Sequence, residues 1–228
     1  MSNDIINNQE EIYRGHFLEH GDTPEGTYNQ NDAIQNLRFE RLINNLDLSS
    51  ALTTMHDVGC GICDLYQYMK QLHIPAKYSG TDIIAEMKAL AFKKHPEVVF
   101  HVRDILDDNS NEKYDFLTLS GTFNLPGKTD KDQWRIFTRE MVTKMYSLAN
   151  YGISFNFLTS HADFHNKEMF YESPEDILDF CVKNLSRHVI IDHTYPIFEF
   201  TVTVYTPEYL KRKYTDKRLQ KYIKLNND

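Results

Sequence analysis

The chain has 228 residues, with 25 Lys or Arg against 33 Asp or Glu, a net charge of −8, and 41% hydrophobic residues. These proportions exclude a disordered, collagen-like or disulfide-scaffold chain. The acidic balance disfavours a general polyanion binder, whose affinity rests on clustered Lys and Arg.

Three cysteines, Cys60, Cys63 and Cys181, form no even disulfide framework and suit a reducing cytoplasm. No apolar run is long enough to span a membrane. The polar, acidic start MSNDIINNQEE lacks a signal-peptide pattern, so a cytoplasmic location is expected.

Residues 1–30 are polar, with Tyr13, Phe17 and Tyr28 among them, and GDTPEGTYNQ is punctuated as a loop. Apolar residues near helical spacing predict a helix over 31–46, capped by Asn31 or Asp32. Strands are then expected at 54–58, 77–83, 98–102, 113–120 and 151–159. Helices are expected at 64–72, 85–95 and 130–149. This alternation predicts βαβ units and a parallel sheet. A helix over 174–185 begins with Pro174 and acids in its first turn. Two strands, 187–195 and 196–206, follow in immediate succession, which forces an antiparallel pair. Residues 211–224 hold seven Lys or Arg against one acid, a local +6, and read as a basic, solvated C-terminal helix. The expected fold is α/β: a Rossmann-like, seven-stranded, mostly parallel sheet with an antiparallel C-terminal hairpin. Helices cover both faces. One domain is expected over 1–228: an N-terminal helical cap (1–50), the core (51–206) and the basic helix (207–228).

HDVGCGICDL (56–65) carries the chemistry. A strand containing Asp57 runs into Gly59-Cys60-Gly61, a tight turn into a helix. Glycines there permit positive φ and close approach of backbone to a ligand, and helix amides face it. Asp82 ends the second strand, 21 positions after Gly61, where an acid can hold a ribose diol. Asp104 follows the third strand in the same way. A dinucleotide fingerprint would want Gly at position 64; Asp64 there would repel pyrophosphate. The inferred ligand has a ribose and no pyrophosphate. Cys60-Gly-Ile-Cys63 also has the form of a redox motif, yet it is interleaved with the glycines. No second pair or nearby His completes a zinc site, so no metal is expected.

DVGCGICDL resembles motif I of class I S-adenosylmethionine-dependent methyltransferases of the small-molecule type. SGTDI is similar to their second acidic motif, VRDI to their adenine-contacting motif, and YDFLTLSG to their fourth strand. The closing hairpin and the upstream segment GDTPEGTYNQNDAIQNLRFERL are similar to theirs too. The family usually has a third Gly where this chain has Cys63. The resemblance implies S-adenosylmethionine as cofactor and S-adenosylhomocysteine as product. It also implies that Gly59 and Gly61 pass the methionine part and that Asp82 binds the ribose with Ile83 against adenine. Asp104 would accept from the adenine amino group beside Ile105. Ser120 would line the methionine end, and Asp57 would organise the loop or meet the ammonium. Arg38 is a candidate partner of the cofactor carboxylate, and Tyr28 a candidate cover over the site.

The reaction expected is methyl transfer to an O or N nucleophile of a small molecule, such as a sugar, surface-glycan precursor or secondary metabolite. His161, Asp163 and His165, in the long loop after the fifth strand, are candidate bases, with Asp163 orienting. Phe123, Asn124, Phe164 and Tyr171 are candidate acceptor-binding residues. The alternatives are an RNA methyltransferase using the basic tail and a non-catalytic cofactor-binding partner subunit. A nicotinamide oxidoreductase is disfavoured by Asp64. A homodimer is left open, and no membrane partner is expected.

Overall fold

A computed structural model describes residues 2–23, 26, 31–107 and 112–223. The elements are α1 Ser2–His20, α2 Asp32–Ile43, β1 Thr54–Val58, α3 Asp64–Gln71, β2 Lys77–Asp82, α4 Ala85–Lys94, β3 Val99–Val102 and β4 Tyr114–Leu119. There follow α5 Lys131–Leu148, β5 Ala149–Thr159, β6 Tyr171–Glu172, α6 Pro174–Asn184, β7 Val189–Asp192, β8 Glu199–Tyr205, α7 Pro207–Lys213 and α8 Lys217–Gln220.

The strands form one sheet in the order β3-β2-β1-β4-β5-β8-β7, with β6 paired to β5. β1 to β5 pair in parallel, while β8 runs antiparallel to both β5 and β7. The expected Rossmann-like, mostly parallel sheet with its antiparallel hairpin is therefore observed. The chain steps outward through β2 and β3 on one side of β1 and through β4 and β5 on the other. Between β1 and β4 lies the switch point, outside whose carboxyl ends such sheets bind ligands.

Alternating side chains divide the core between the two faces. On one face, Leu117, Leu119, Phe155, Phe157, Val202 and Val204 pack with Trp134, Met141 and Met145 of α5 and Ile177 and Cys181 of α6. On the other, Met55, Tyr78 and Phe116 pack with Phe39, Leu42 and Ile43 of α2 and Leu65 and Met69 of α3.

Three elements depart from the sequence-based expectation. The polar segment 2–20 is helical. Ile5, Gln9, Tyr13 and Phe17 recur every fourth residue on one face, and Ile5, Gln9 and Phe17 are buried. Gln9 interrupts that apolar stripe and hides it. The two-residue β6 is too short to carry a period. The basic tail is not one helix. It is α7 and α8, parted at Tyr214, where the backbone turns extended; residues 224–228 lie outside the described residues. Thr206 and Asp216 cap the two pieces through their side chains.

Phe155 is fully buried and meets Phe123 and Phe157 edge to face. Phe155→Ala should lower unfolding free energy by about 3–5 kcal/mol. Phe155→Leu, which fills more of the space, should cost clearly less. Urea unfolding followed by circular dichroism checks both.

Candidate functional site

A cavity of about 570 Å³ opens at the carboxyl edge of the sheet, where β1, β2 and β4 end. That is the size of a small-ligand site, typically about 300–1,000 Å³. Its inner wall is the loop after β1. Gly59 and Gly61 have φ of 70° and 54°, and Cys63 follows at 66°. The position where the family usually has Gly thus carries a left-handed, fully buried cysteine.

The loop is tied to the end of β2. The amides of Gly59 and Cys60 donate to the Thr81 carbonyl at 2.8 and 3.1 Å. The Gly61 amide donates to Asp82 Oδ2 at 2.9 Å. The other carboxylate oxygen, Oδ1, accepts from the Ile84 amide at 2.9 Å. Burial pushes the Asp82 carboxyl above its ordinary value, and these amides oppose the shift. Each oxygen keeps lone-pair capacity for a further donor. A Cβ at position 59 would lie 2.5 Å from Thr122 Oγ1, so this turn admits no side chain without displacing Thr122.

Asp57 lies in β1 between its two neighbours. Its carboxylate accepts from the Tyr78 hydroxyl of β2 at 2.8 Å and the Thr118 hydroxyl of β4 at 2.9 Å. Burial drives its pKa up to about 7 against the lowering effect of both hydroxyls. Both oxygens of Asp57 are therefore engaged within the sheet, by β2 and by β4.

The cavity lining includes Asp57, Gly59, Gly61, Asp82, Ile83, Ile105, Ser120, Asn124, Phe164 and Tyr171 of the sequence-derived candidates. Asn124 is buried, and its Oδ1 accepts from the Leu158 amide.

Other candidates are placed elsewhere. Asp104 is off the cavity, its Oδ1 capping the Leu106 amide at 2.9 Å. Phe123 is a core residue stacked on Phe157 at 4.8 Å. Arg38 does line the cavity, yet its guanidinium forks onto Glu199. A guanidinium this buried requires a counter-charge, and Glu199, 2% exposed, supplies it from the start of β8. His161, Asp163 and His165 are exposed and do not line the cavity. His161 pairs with Glu175 at 3.0 Å, and His165 sits over Tyr171 with its Nε2 3.2 Å from the Ser160 carbonyl. Tyr28 lies outside the described residues.

Several lining residues escaped the sequence reading. Gln9 and Tyr13 reach the cavity from α1, and Gln9 Nε2 donates to the Leu125 carbonyl at 3.1 Å. Their signal was the four-residue recurrence in α1. Glu199 stood out only as an acid within PIFEFTVTVYT. It also accepts from Asn156 Nδ2 at 2.8 Å, and Asn156 Oδ1 accepts from the Gly121 amide. Among the described residues no group of three or more His, Cys, Asp or Glu is placed to hold a metal ion.

Two variants test the electrostatics. Glu199→Ala leaves Arg38 buried without its counter-charge and should cost about 3–5 kcal/mol of stability, with Glu199→Gln intermediate, by denaturant unfolding. For Asp57, the folded pKa of about 7 lies above the unfolded value. Its contribution to stability is therefore present in acid and lost as pH rises towards about 7. The stability of Asp57→Asn relative to the unsubstituted chain should rise from pH 4 to 7 and level off above. A flat difference across that window refutes a titrating, buried Asp57.

No family model matches the chain. It is 28% identical over 169 residues to the Mycobacterium tuberculosis protein named "Putative methyltransferase Rv1506c", covering 72% of this chain and 97% of that one. Magnesium protoporphyrin IX methyltransferase from Synechocystis PCC 6803, solved with bound SAM, superposes with a TM-score of 0.59 at 17% identity, covering 86% and 96% of the two chains. The 1,6-didemethyltoxoflavin-N1-methyltransferase of Burkholderia thailandensis superposes with a TM-score of 0.61 at 11% identity, covering 90% of each. The sheet order and these superpositions show that the chain has the fold of these S-adenosylmethionine-dependent methyltransferases, and its sequence is similar to that of a protein named as a putative methyltransferase.

Proposed function

We propose that the chain transfers a methyl group from S-adenosylmethionine to an O or N nucleophile of a small molecule held in the same cavity. One observation carries this reading: the glycine loop and Asp82 share a single cavity with Asn124, Tyr171 and the residues of α1.

The residues present fit the cofactor. Asp82 has lone pairs for a ribose diol after its two amide bonds. Gly59 and Gly61 keep side chains out of the approach. Ile83 and Ile105 offer apolar flanks for a base. When bound, the cofactor supplies an already activated methyl group. The chain's own contribution is to exclude water and align the nucleophile, and alignment supplies up to about 7–11 kcal/mol in favourable cases. α1 closes one side through Gln9 and Tyr13. Asn124, held at the Leu158 amide, presents a fixed amide to the chamber.

The RNA alternative asks the basic tail to extend the site, and the fold argues against it. Arg212 bonds the hydroxyl of Tyr151, near the start of β5, whereas the cavity is lined by Leu158, near its end. They are seven positions apart along the strand, roughly 23 Å.

Thermal shift tests the cofactor assignment. S-adenosylhomocysteine at about 100-fold its dissociation constant should stabilise by about 2.7 kcal/mol, a rise of roughly 5–10 °C for a chain this size. NAD should give none. Asp82→Ala should abolish most of the shift. A shift with NAD and none with S-adenosylhomocysteine overturns the reading. With any acceptor found by screening, the His161→Ala/His165→Ala double variant should turn over within about twofold of the parent. A fall of about 10²–10⁴ would instead mark a general base in that loop.

A further inference from the structure

The cavity has two chemically different ends. Asp57, Asp64 and Asp82 gather at the glycine loop. The outer end is made by the loops 160–170 and 193–198 facing each other. Phe164 and Phe198 meet there edge to face, with ring centroids 5.3 Å apart and an interplanar angle of 86°. Both line the cavity, and they remain 68% and 38% exposed. Paired aromatics left in water at a cavity mouth are surface that a ligand can cover. Behind them the wall continues with Leu125, Met169, Tyr171 and Ile197.

The charged groups of the lining narrow the ligand further. Both of its arginines are already engaged: Arg38 by Glu199, and Arg103 by Glu112 and the Tyr114 hydroxyl. A phosphorylated acceptor would draw on a guanidinium fork. Here each fork would have to abandon a carboxylate, and for buried Glu199 that would leave an unpaired charge.

Resting on the methyl-transfer reading of the cavity, we infer that Phe164 and Phe198 are specificity-determining residues that grip an uncharged, planar aromatic acceptor. A ring entering the mouth stacks on one phenyl face and meets the edge of the other, the two arrangements aromatic quadrupoles favour. This class sets the acceptor apart from sugars, which lack a π-face, and from nucleotide sugars, which need a cation for their phosphates.

The test uses the full chain saturated with S-adenosylhomocysteine, so that a flat probe cannot occupy the cofactor end. Three probes are titrated by saturation-transfer NMR: 2-naphthol, glucose and UDP-glucose. The proteins are the parent, Phe164→Ala, Phe198→Ala, the double variant, and Phe92→Ala as a control. Phe92, on α4 and off the cavity, is about as exposed as Phe164. We expect saturable 2-naphthol binding to the parent, weakened about tenfold by each mouth substitution and unchanged by Phe92→Ala. Glucose and UDP-glucose should not compete. Absence of 2-naphthol binding, binding undiminished in the double variant, or displacement by UDP-glucose each overturns the inference. The S-adenosylhomocysteine thermal shift is recorded on the same samples. If the parent lacks it, the methyltransferase reading fails. If the parent keeps it while 2-naphthol does not bind, only the acceptor class fails.

Discussion

The carboxylate of Asp82 is the interaction on which the site depends. One oxygen accepts from the Gly61 amide and the other from the Ile84 amide, so a single side chain joins the loop after β1 to the turn that starts α4. The Thr81 carbonyl adds two more bonds to the same loop. Gly59 and Gly61 adopt the left-handed region without steric cost, and Cys63 is the one residue of the loop that is strained there. Hydrogen bonds to the end of β2 hold the loop in place. Part of the polarity of this surface is thus spent on structure.

Charge burial shapes the rest of the chamber. Asp57 bridges three neighbouring strands through two hydroxyls and is driven towards neutrality by desolvation. Arg38 and Glu199 remain paired in the cavity wall, with Asn156 extending the network to the loop after β4. These two arrangements solve the same problem differently. Asp57 is met by two neutral hydroxyls, whereas Glu199 is met by a guanidinium. Together they hold α2, β8 and the sheet edge around one space.

Much of the fold was legible because its signals are local. Alternating strand and helix periods announced the parallel sheet, and two adjacent strands announced the antiparallel hairpin. The glycine turn and the acid 21 positions later announced one end of the cavity. Where signals were interrupted, reading failed. Gln9 broke the apolar face of α1, and the basic tail read as one helix because charge continuity says nothing about the break at Tyr214. The His161–Asp163–His165 cluster looked chemical because its residue types are chemical. Its position on an exposed loop, with His161 held by Glu175, is a tertiary fact.

By itself, then, the sequence determined the fold class, the location of the glycine loop and the identity of the acid at the end of β2. Each of these follows from short-range periodicity and steric demands on the backbone. Only the tertiary structure decided that Arg38 faces Glu199, 161 positions away. It alone also placed Asp104 off the cavity and brought Phe164 to Phe198 at its mouth. Those outcomes depend on which distant groups must share a buried space and neutralise one another, and no local pattern encodes that.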